Sequence, residues 1–273
     1  MAVALRPLST GELLDRVFSL YRAHFALFVG IVALPHLITL ALQLFVGVRL
    51  SPPGFGISAM LGTFLWAMLL GVAALVVGAA SQAAAVVALS QVYLDRPTSV
   101  RDAYFRVKGR IGVVLLLTFV MGLAIGVGFL FLIVPGILLA LMWSLAIPVA
   151  VLEGKGIGDS MSRSAELTKG HRFRIFVIWL LFIILSLSVT ALLQWPITLT
   201  VAMLTRGNPG AMLTWVQTVS AVMTFISQSL VAPLATIAFS LVYYDERVRK
   251  EAFDLQLMMA TLDSAPPAAA PSV

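Results

Sequence analysis

Hydrolytic chemistry needs an acid/base pair, a nucleophile with its base, or a bound metal. This chain offers three histidines, 12 carboxylates and no cysteine. Without cysteine, thiolate catalysis, disulfides and Cys-based metal sites are excluded. His24, His36 and His171 do not make a catalytic pair. Only His36 lies inside a long charge-free run, beside Pro35. A lone histidine is a poor ligand set. It reads as a hydrogen-bonding group between helices, with a role in an ion or proton route as the alternative. No catalytic, cofactor or metal site follows from these residues.

The charged residues cluster instead. Asp95, Glu153 and Asp245 each close an apolar stretch, in VYLD, AVLE and VYYD. Basic residues stand nearby: Arg110, then Lys169, His171, Arg172 and Arg174. Two readings stay open. The acids pair locally with neighbouring cations, or all three gather around one pseudo-axis and form a ring with Arg110, Arg172 and Arg174. Such a ring would bind phosphate or a partner. The five basic residues are the candidate contacts to lipid phosphates or to a protein.

The elements that carry these residues are apolar. Sixty per cent of the 273 residues are hydrophobic and 11% are charged, against about 25% charged in a soluble domain. Five runs lack Asp, Glu, Lys and Arg: 25–48, 50–94, 111–152, 175–205 and 207–244. One crossing takes about 20 residues. The run 111–152 is long enough for two, with Pro135-Gly136 in its middle as the expected turn. Six crossings result, and Pro52-Pro53-Gly54 marks a loop before the second. The first 24 residues hold Glu12 and Asp15 and no apolar core, so they do not read as a cleavable signal peptide.

Charge placement supports six crossings. With the N-terminus in the cytoplasm, 16 of the 18 basic residues and all 12 acids fall on the inner side. Only Arg49 and Arg206 face out. Both termini are then cytoplasmic. Arginine outnumbers lysine 14 to 4, a bias of GC-rich bacterial genomes, and the expected location is a bacterial cytoplasmic membrane. Nothing suggests nucleic acid as a partner. The oligomeric state is not readable.

The inner segments read as helices. Ser9-Thr10-Gly11-Glu12 has capping-box spacing, followed by a stripe at Leu13, Leu14, Val17, Phe18, Tyr21 and Phe25. Ser99 is placed to cap a helix with Val100, Ala103, Tyr104 and Val107 on one face, and Asp159 one with Met161, Ala165 and Thr168. Val248, Ala252, Leu255, Met259 and Leu262 form a last stripe over 245–262, and 263–273 is a Pro/Ala-rich tail expected to be disordered. Amphipathic helices of this kind lie in the membrane interface, with basic residues near anionic lipid phosphates.

This punctuation repeats. Arg22, Lys108 and Lys169 align; 11 residues earlier stand Gly11, Pro97 and Gly158. The units run over about 9–95, 97–153 and 158–245. The expected fold is an all-α integral membrane protein: one six-helix domain over 1–262, three hairpins, each preceded by an interfacial helix such as 9–23.

Polar uncharged residues lie inside the runs, among them Gln43, Ser81, Gln82, Gln91, Gln194 and Gln228. They serve interhelical hydrogen bonds or line a cavity for a lipid headgroup. Gly122-x-x-x-Gly126 and the small residues Gly78, Ala80, Ala84 and Ala88 permit close helix approach. Pro148, Pro196 and Pro233 are expected to kink their helices.

Three blocks carry a family resemblance: LRPLSTGELLDRVFSLYRAHF, SRSAELTKGHRFRIF and LVYYDERVRKEAFDLQLM. Over about residues 5–262 the chain resembles the bacterial glycerophosphoryl diester phosphodiesterase membrane domain family. The resemblance implies a membrane region that can be fused to a TIM-barrel catalytic domain with a His pair and a carboxylate-bound metal. A TIM barrel needs about 250 residues, far more than the hydrophilic remainder here. The expectation is therefore a stand-alone, non-enzymatic module: a scaffold or lipid-interacting protein for a membrane-associated partner. The competing class is a transporter or flippase-like protein for a lipid or small amphiphile, and a third is an accessory subunit of a phosphodiesterase.

Overall fold

The computed structural model describes residues 8–49, 57–204 and 209–251. It is all-helical, with no strand among the described residues. The helices are α1 (Thr10–Ala23), α2 (Phe25–Arg49), α3 (Ile57–Tyr93), α4 (Val100–Val107), α5 (Ile111–Phe131), α6 (Ile133–Met142), α7 (Ala146–Leu152), α8 (Ile157–Thr168), α9 (Arg172–Leu204) and α10 (Pro209–Glu251). Six stretches are long and apolar enough to span a bilayer: α2, α3, α5, α6 with α7, α9 and α10. The chain is a multi-pass membrane protein. The predicted loop at Pro52-Pro53-Gly54, Arg6, Arg206, the side chain of Arg49 and everything from 252 onward lie outside the described residues.

The short amphipathic helices form where local chemistry starts them. Ser9 caps α1: its hydroxyl accepts from Glu12 N while the Glu12 carboxylate accepts from Ser9 N, a closed capping box. Ser99 caps α4 by accepting from Asp102 N. The hydroxyl also donates to the Asp102 carboxylate and holds its pKa below the ordinary value. The cap predicted at Asp159 falls elsewhere. The α8 N-cap is Gly156, and Asp159 sits in the first turn, where a carboxylate complements the helix dipole. The buried face of α8 also differs from the predicted stripe. Ser160, Ser164, Leu167 and Thr168 face inward: Thr168 belongs to the predicted stripe, Leu167 joins the apolar core, and Ser164 and Thr168 bond the Met142 carbonyl.

Each short helix is tied to the spanning helices by a hydroxyl. Tyr21 of α1 donates to Leu230 O of α10 at 2.9 Å. Tyr104 of α4 donates to Ile31 O of α2 at 2.7 Å. That carbonyl is available because Pro35, four residues on, has no N–H to donate to it. Burial raises the Tyr104 pKa despite the nearby Ser81 hydroxyl. Ser164 of α8 donates to Met142 O at 2.8 Å and accepts from Leu145 N at 3.2 Å. It thereby fills the break between α6 and α7.

The reversal inside 111–152 occurs at Leu132, whose φ of −161° and ψ of 147° interrupt two helices. Pro135 and Gly136 lie just inside α6 rather than in the turn. There a proline costs no hydrogen bond. Gly136 is required for a different reason. A Cβ there would meet the Phe129 ring at 2.5 Å, and Gly128 packs on Gly136 with no room to spare. Gly122 and Gly126 face open space instead, so they do not mediate close packing within this chain.

The long helices exceed a bilayer. α10 has 43 residues, roughly 65 Å at 1.5 Å per residue against about 30 Å of hydrocarbon. It continues through Tyr243-Tyr244-Asp245, so VYYD does not end a helix and no separate helix begins at 245. Charged pairs at i,i+4, Asp245 with Arg249 and Arg247 with Glu251, support this continuation.

The core gathers toward the charged end. Ala79, Ala83, Ala84, Ala85 and Ala88 of α3 are buried against Leu145 and Val149 near α7 and Ile237, Ala238 and Leu241 of α10. The opposite half of α3, from Ile57 to Val76, leaves its large apolar side chains exposed, as a lipid-facing surface does. α2 packs on α3, α5 on α6 and α9 on α10. α1 packs on α10, α4 on α3 and α8 on α7.

Candidate functional site: the charged end and a membrane cavity

Two polar regions stand out. The first is a charged network at the ends of α7 and α10. Asp245 is the hub of one half, with a side chain 1% exposed. Its carboxylate accepts from Leu8 N at 2.7 Å, from Arg249 Nε at 2.9 Å and from Arg174 Nη1. Arg174 Nη2 and Arg249 Nη2 both donate to Leu8 O, at 2.9 and 2.6 Å. Five contacts thus clamp the backbone entering α1 onto α9 and α10. Next to it, Glu246 is fully buried and holds His171 Nδ1 at 2.7 Å. Its other oxygen stands 3.8 Å from Arg174 and makes no hydrogen bond.

Glu153 is the hub of the other half. Tyr243 OH donates to it at 3.0 Å, and Lys155 and Arg163 approach at 3.2 and 3.5 Å. Arg163 also binds Glu251, which accepts from Arg247 Nε at 3.1 Å. Arg247 in turn donates to Tyr243 OH at 3.1 Å and covers its ring. Partial burial opposes the Arg163 charge, but the hydrogen bond to Glu251 and the Glu153 charge outweigh it and raise the pKa. Lys250 Nζ donates to Lys169 O and Glu166 O at 2.6 and 2.8 Å, capping the carbonyl end of α8.

The predicted site residues are therefore distributed rather than gathered. Glu153 and Asp245 enter separate hubs. Asp95 enters neither: it is exposed and makes no ion pair among the described residues. Its φ of 54° explains its type, since aspartate tolerates the left-handed turn that ends α3. Arg174 and His171 are held by Asp245 and Glu246. Arg110 donates to Gly154 O, at a glycine with φ 72° whose Cβ would collide with that guanidinium. Arg172 is half-buried, with Nε lacking a hydrogen bond. Lys169 is exposed. The sequence reading missed Glu246, Arg163, Arg247, Glu251 and the Leu8 backbone. The i,i+4 spacing of Tyr243, Arg247 and Glu251 was a visible signal for two of them. Carboxylate oxygens already engaged by guanidinium and backbone donors are poorly placed as general bases. Among the described residues no three His, Asp or Glu side chains come together to hold a metal.

The second region is a cavity of about 280 Å³ between α3, the α6–α7 break, α9 and α10. Gln82, Ser144, Ser186, Gln228, Thr236 and Ser240 supply its polar lining, and aromatic rings complete the wall. Of the glutamines read from sequence, Gln82 and Gln228 line it. Gln194 instead donates to Thr224 between α9 and α10 at 2.9 Å, and Gln91 stays within α3 beside Ser90. His36 bonds Val32 O of its own helix at 2.7 Å rather than a neighbouring helix, being one turn from that carbonyl.

No curated protein and no solved structure matches the chain. The family model described as the membrane domain of glycerophosphoryl diester phosphodiesterase matches residues 115–263. That span covers more than half of the chain, and it contains α6 to α10 with the hub acids Glu153 and Asp245. The chain belongs to the glycerophosphoryl diester phosphodiesterase membrane domain family.

Proposed function

We propose that this protein is a non-enzymatic membrane module that holds anionic lipid phosphates at its charged end and offers that end to a membrane-associated partner. The observation that carries the reading is a division among its cations. Arg174, Arg163, Arg247 and Arg249 are consumed by internal carboxylates. Arg22, Arg96, Lys108 and Lys169 are exposed and make no ion pair among the described residues. The first set builds a rigid base, and the second remains available to phosphates, at about 1 kcal/mol per cation near an anionic surface. Of the candidate contacts named from sequence, Lys169 and the outer part of Arg172 fit this role best. Arg110, His171 and Arg174 serve the base.

In this reading α1, α4 and α8 lie in the interface on the cytoplasmic side of a bacterial inner membrane, with both termini inside. The units 9–95, 97–153 and 158–245 form three hairpins around a pseudo-threefold axis. Support comes from a cyclic pattern: each short helix packs on the last helix of the preceding unit, α4 on α3, α8 on α7 and α1 on α10. The three last helices also meet one another. The test is native mass spectrometry of protein released from its own membranes in mild detergent. The variant Arg22→Glu/Lys108→Glu/Lys169→Glu should lose anionic lipid adducts while keeping its melting temperature. Equal adducts in both proteins would refute lipid engagement, and a co-released protein would identify the partner.

The cavity favours a second reading, transport or flipping of an amphiphile. A flux assay in vesicles separates it from the first.

A further inference from the structure

The cavity has a chemical signature of its own. Its walls belong to four membrane spans. At ~1.5 Å per residue, Ser240 stands roughly 8 Å before Asp245 along α10, so the cavity lies on the side of the bundle next to the charged end. None of its lining residues is ionisable. A phosphate placed there would be a buried charge without a counter-charge, which is strongly unfavourable. Yet six of the 16 lining residues carry a hydroxyl or an amide. Ser144 spends its proton on Leu141 O at the end of α6, and Thr236 and Ser240 spend theirs on carbonyls of α10; all three keep acceptor lone pairs. Gln82, Gln228 and Ser186 make no hydrogen bond to any described residue, and both glutamines are exposed. Each free amide brings two donors and an acceptor. In hydrocarbon such groups need a partner.

We propose that this cavity binds the uncharged, hydroxyl-bearing headgroup of an amphiphile of the monoacylglycerol class. At about 280 Å³ the cavity falls just below the range of drug-sized ligand sites, which starts at about 300 Å³, and it accommodates a headgroup rather than a whole lipid. Trp179 and Phe239 give the headgroup an apolar wall, and the exposed flank at Gln82 and Gln228 lets the acyl chain run out into the bilayer. The hydroxyls would accept from and donate to the two amides and donate to Ser240 and Thr236.

The inference rests on the lipid-handling reading only in requiring an amphiphile. The test is competition on the full chain in detergent, followed by native mass spectrometry. The probes are 1-monooleoylglycerol and 1-oleoyl lysophosphatidic acid, which share one acyl chain and differ in charge. In the Arg22→Glu/Lys108→Glu/Lys169→Glu background, which removes the rim contact to phosphate, the protein should retain one monooleoylglycerol in preference to the acid. Gln82→Leu and Gln228→Leu should each weaken retention about tenfold, the size expected for a lost hydrogen bond. Ala232→Phe, which fills the cavity, should abolish it. Tighter retention of lysophosphatidic acid than of monooleoylglycerol in that background would overturn the proposal. So would equal retention by wild type and by a folded Ala232→Phe protein. A parallel flux assay keeps the two ideas apart: retention without flux preserves this site and removes transport, whereas flux with no retention removes this site.

Discussion

The charged end and the cavity are both polar regions of an apolar protein, and they treat their polar groups in opposite ways. At the charged end, Asp245 has donors on both oxygens and Glu153 collects a phenol, an ammonium and a guanidinium. In the cavity, Gln82 and Gln228 have no partner at all among the described residues. Polar groups satisfied internally hold a structure in one arrangement. Groups left unsatisfied in a membrane are available for something that binds. The difference is what motivates the proposed division: architecture at the hubs, recognition in the cavity, and a separate lipid contact at the rim cations that make no ion pair among the described residues.

Four substitutions would break or sharpen this contrast. The largest effect is expected from Asp245→Ala, which strands the largely buried Arg174 and releases the backbone at Leu8. Breaking one side of such a pair costs about 3–5 kcal/mol. Thermal unfolding followed by the native tryptophans should show a large drop, or the protein should fail to accumulate. A shift below ~1 kcal/mol would mean the clamp is not structural. Glu153→Gln comes next, at about 1.5–3 kcal/mol for charge-assisted hydrogen bonds. It should lower the melting temperature without altering retention of an uncharged amphiphile.

Ser99→Ala is smaller, about 1 kcal/mol for a lost N-cap. Its pH dependence has a definite sign. The Asp102 pKa is lowered mainly by the Ser99 hydroxyl, so that contribution is present above the ordinary carboxylate range and fades as pH falls through the depressed value. The deficit of the variant should therefore be greatest at neutral pH and shrink in acid, in melts recorded across pH. The smallest stability effect is expected for Gln82→Leu. An amide without a partner contributes no internal bond, so the melting temperature should hold or rise slightly. A marked loss of stability would place Gln82 with the architecture and dissolve the contrast.

Much of the scaffold was legible in the sequence. The charge-free runs located six spans, and Ser9 and Ser99 announced their helices because capping is local chemistry. Less local features were not legible. Leu132, not Pro135-Gly136, turns the chain, since proline and glycine also serve the first turn of a helix. Asp245 marks a hub inside α10 rather than a helix end, because an acid in sequence looks the same whether it meets water or two arginines. Asp95 answers to its backbone angle rather than to a cation. Gln82 and Gln228 were visible as polar residues in apolar runs. Their separation from Gln91 and Gln194 depends on helix rotation, which a single sequence does not reveal.

The central claim, that recognition is divided between rim and cavity, is tested most directly by one crossed measurement. Native mass spectrometry would record phosphatidylglycerol and monooleoylglycerol on wild type, on Arg22→Glu/Lys108→Glu/Lys169→Glu and on Gln82→Leu/Gln228→Leu. The rim variant should lose only the anionic lipid, and the cavity variant only the uncharged one. Loss of both lipids in either variant, or of neither in both, would contradict the division.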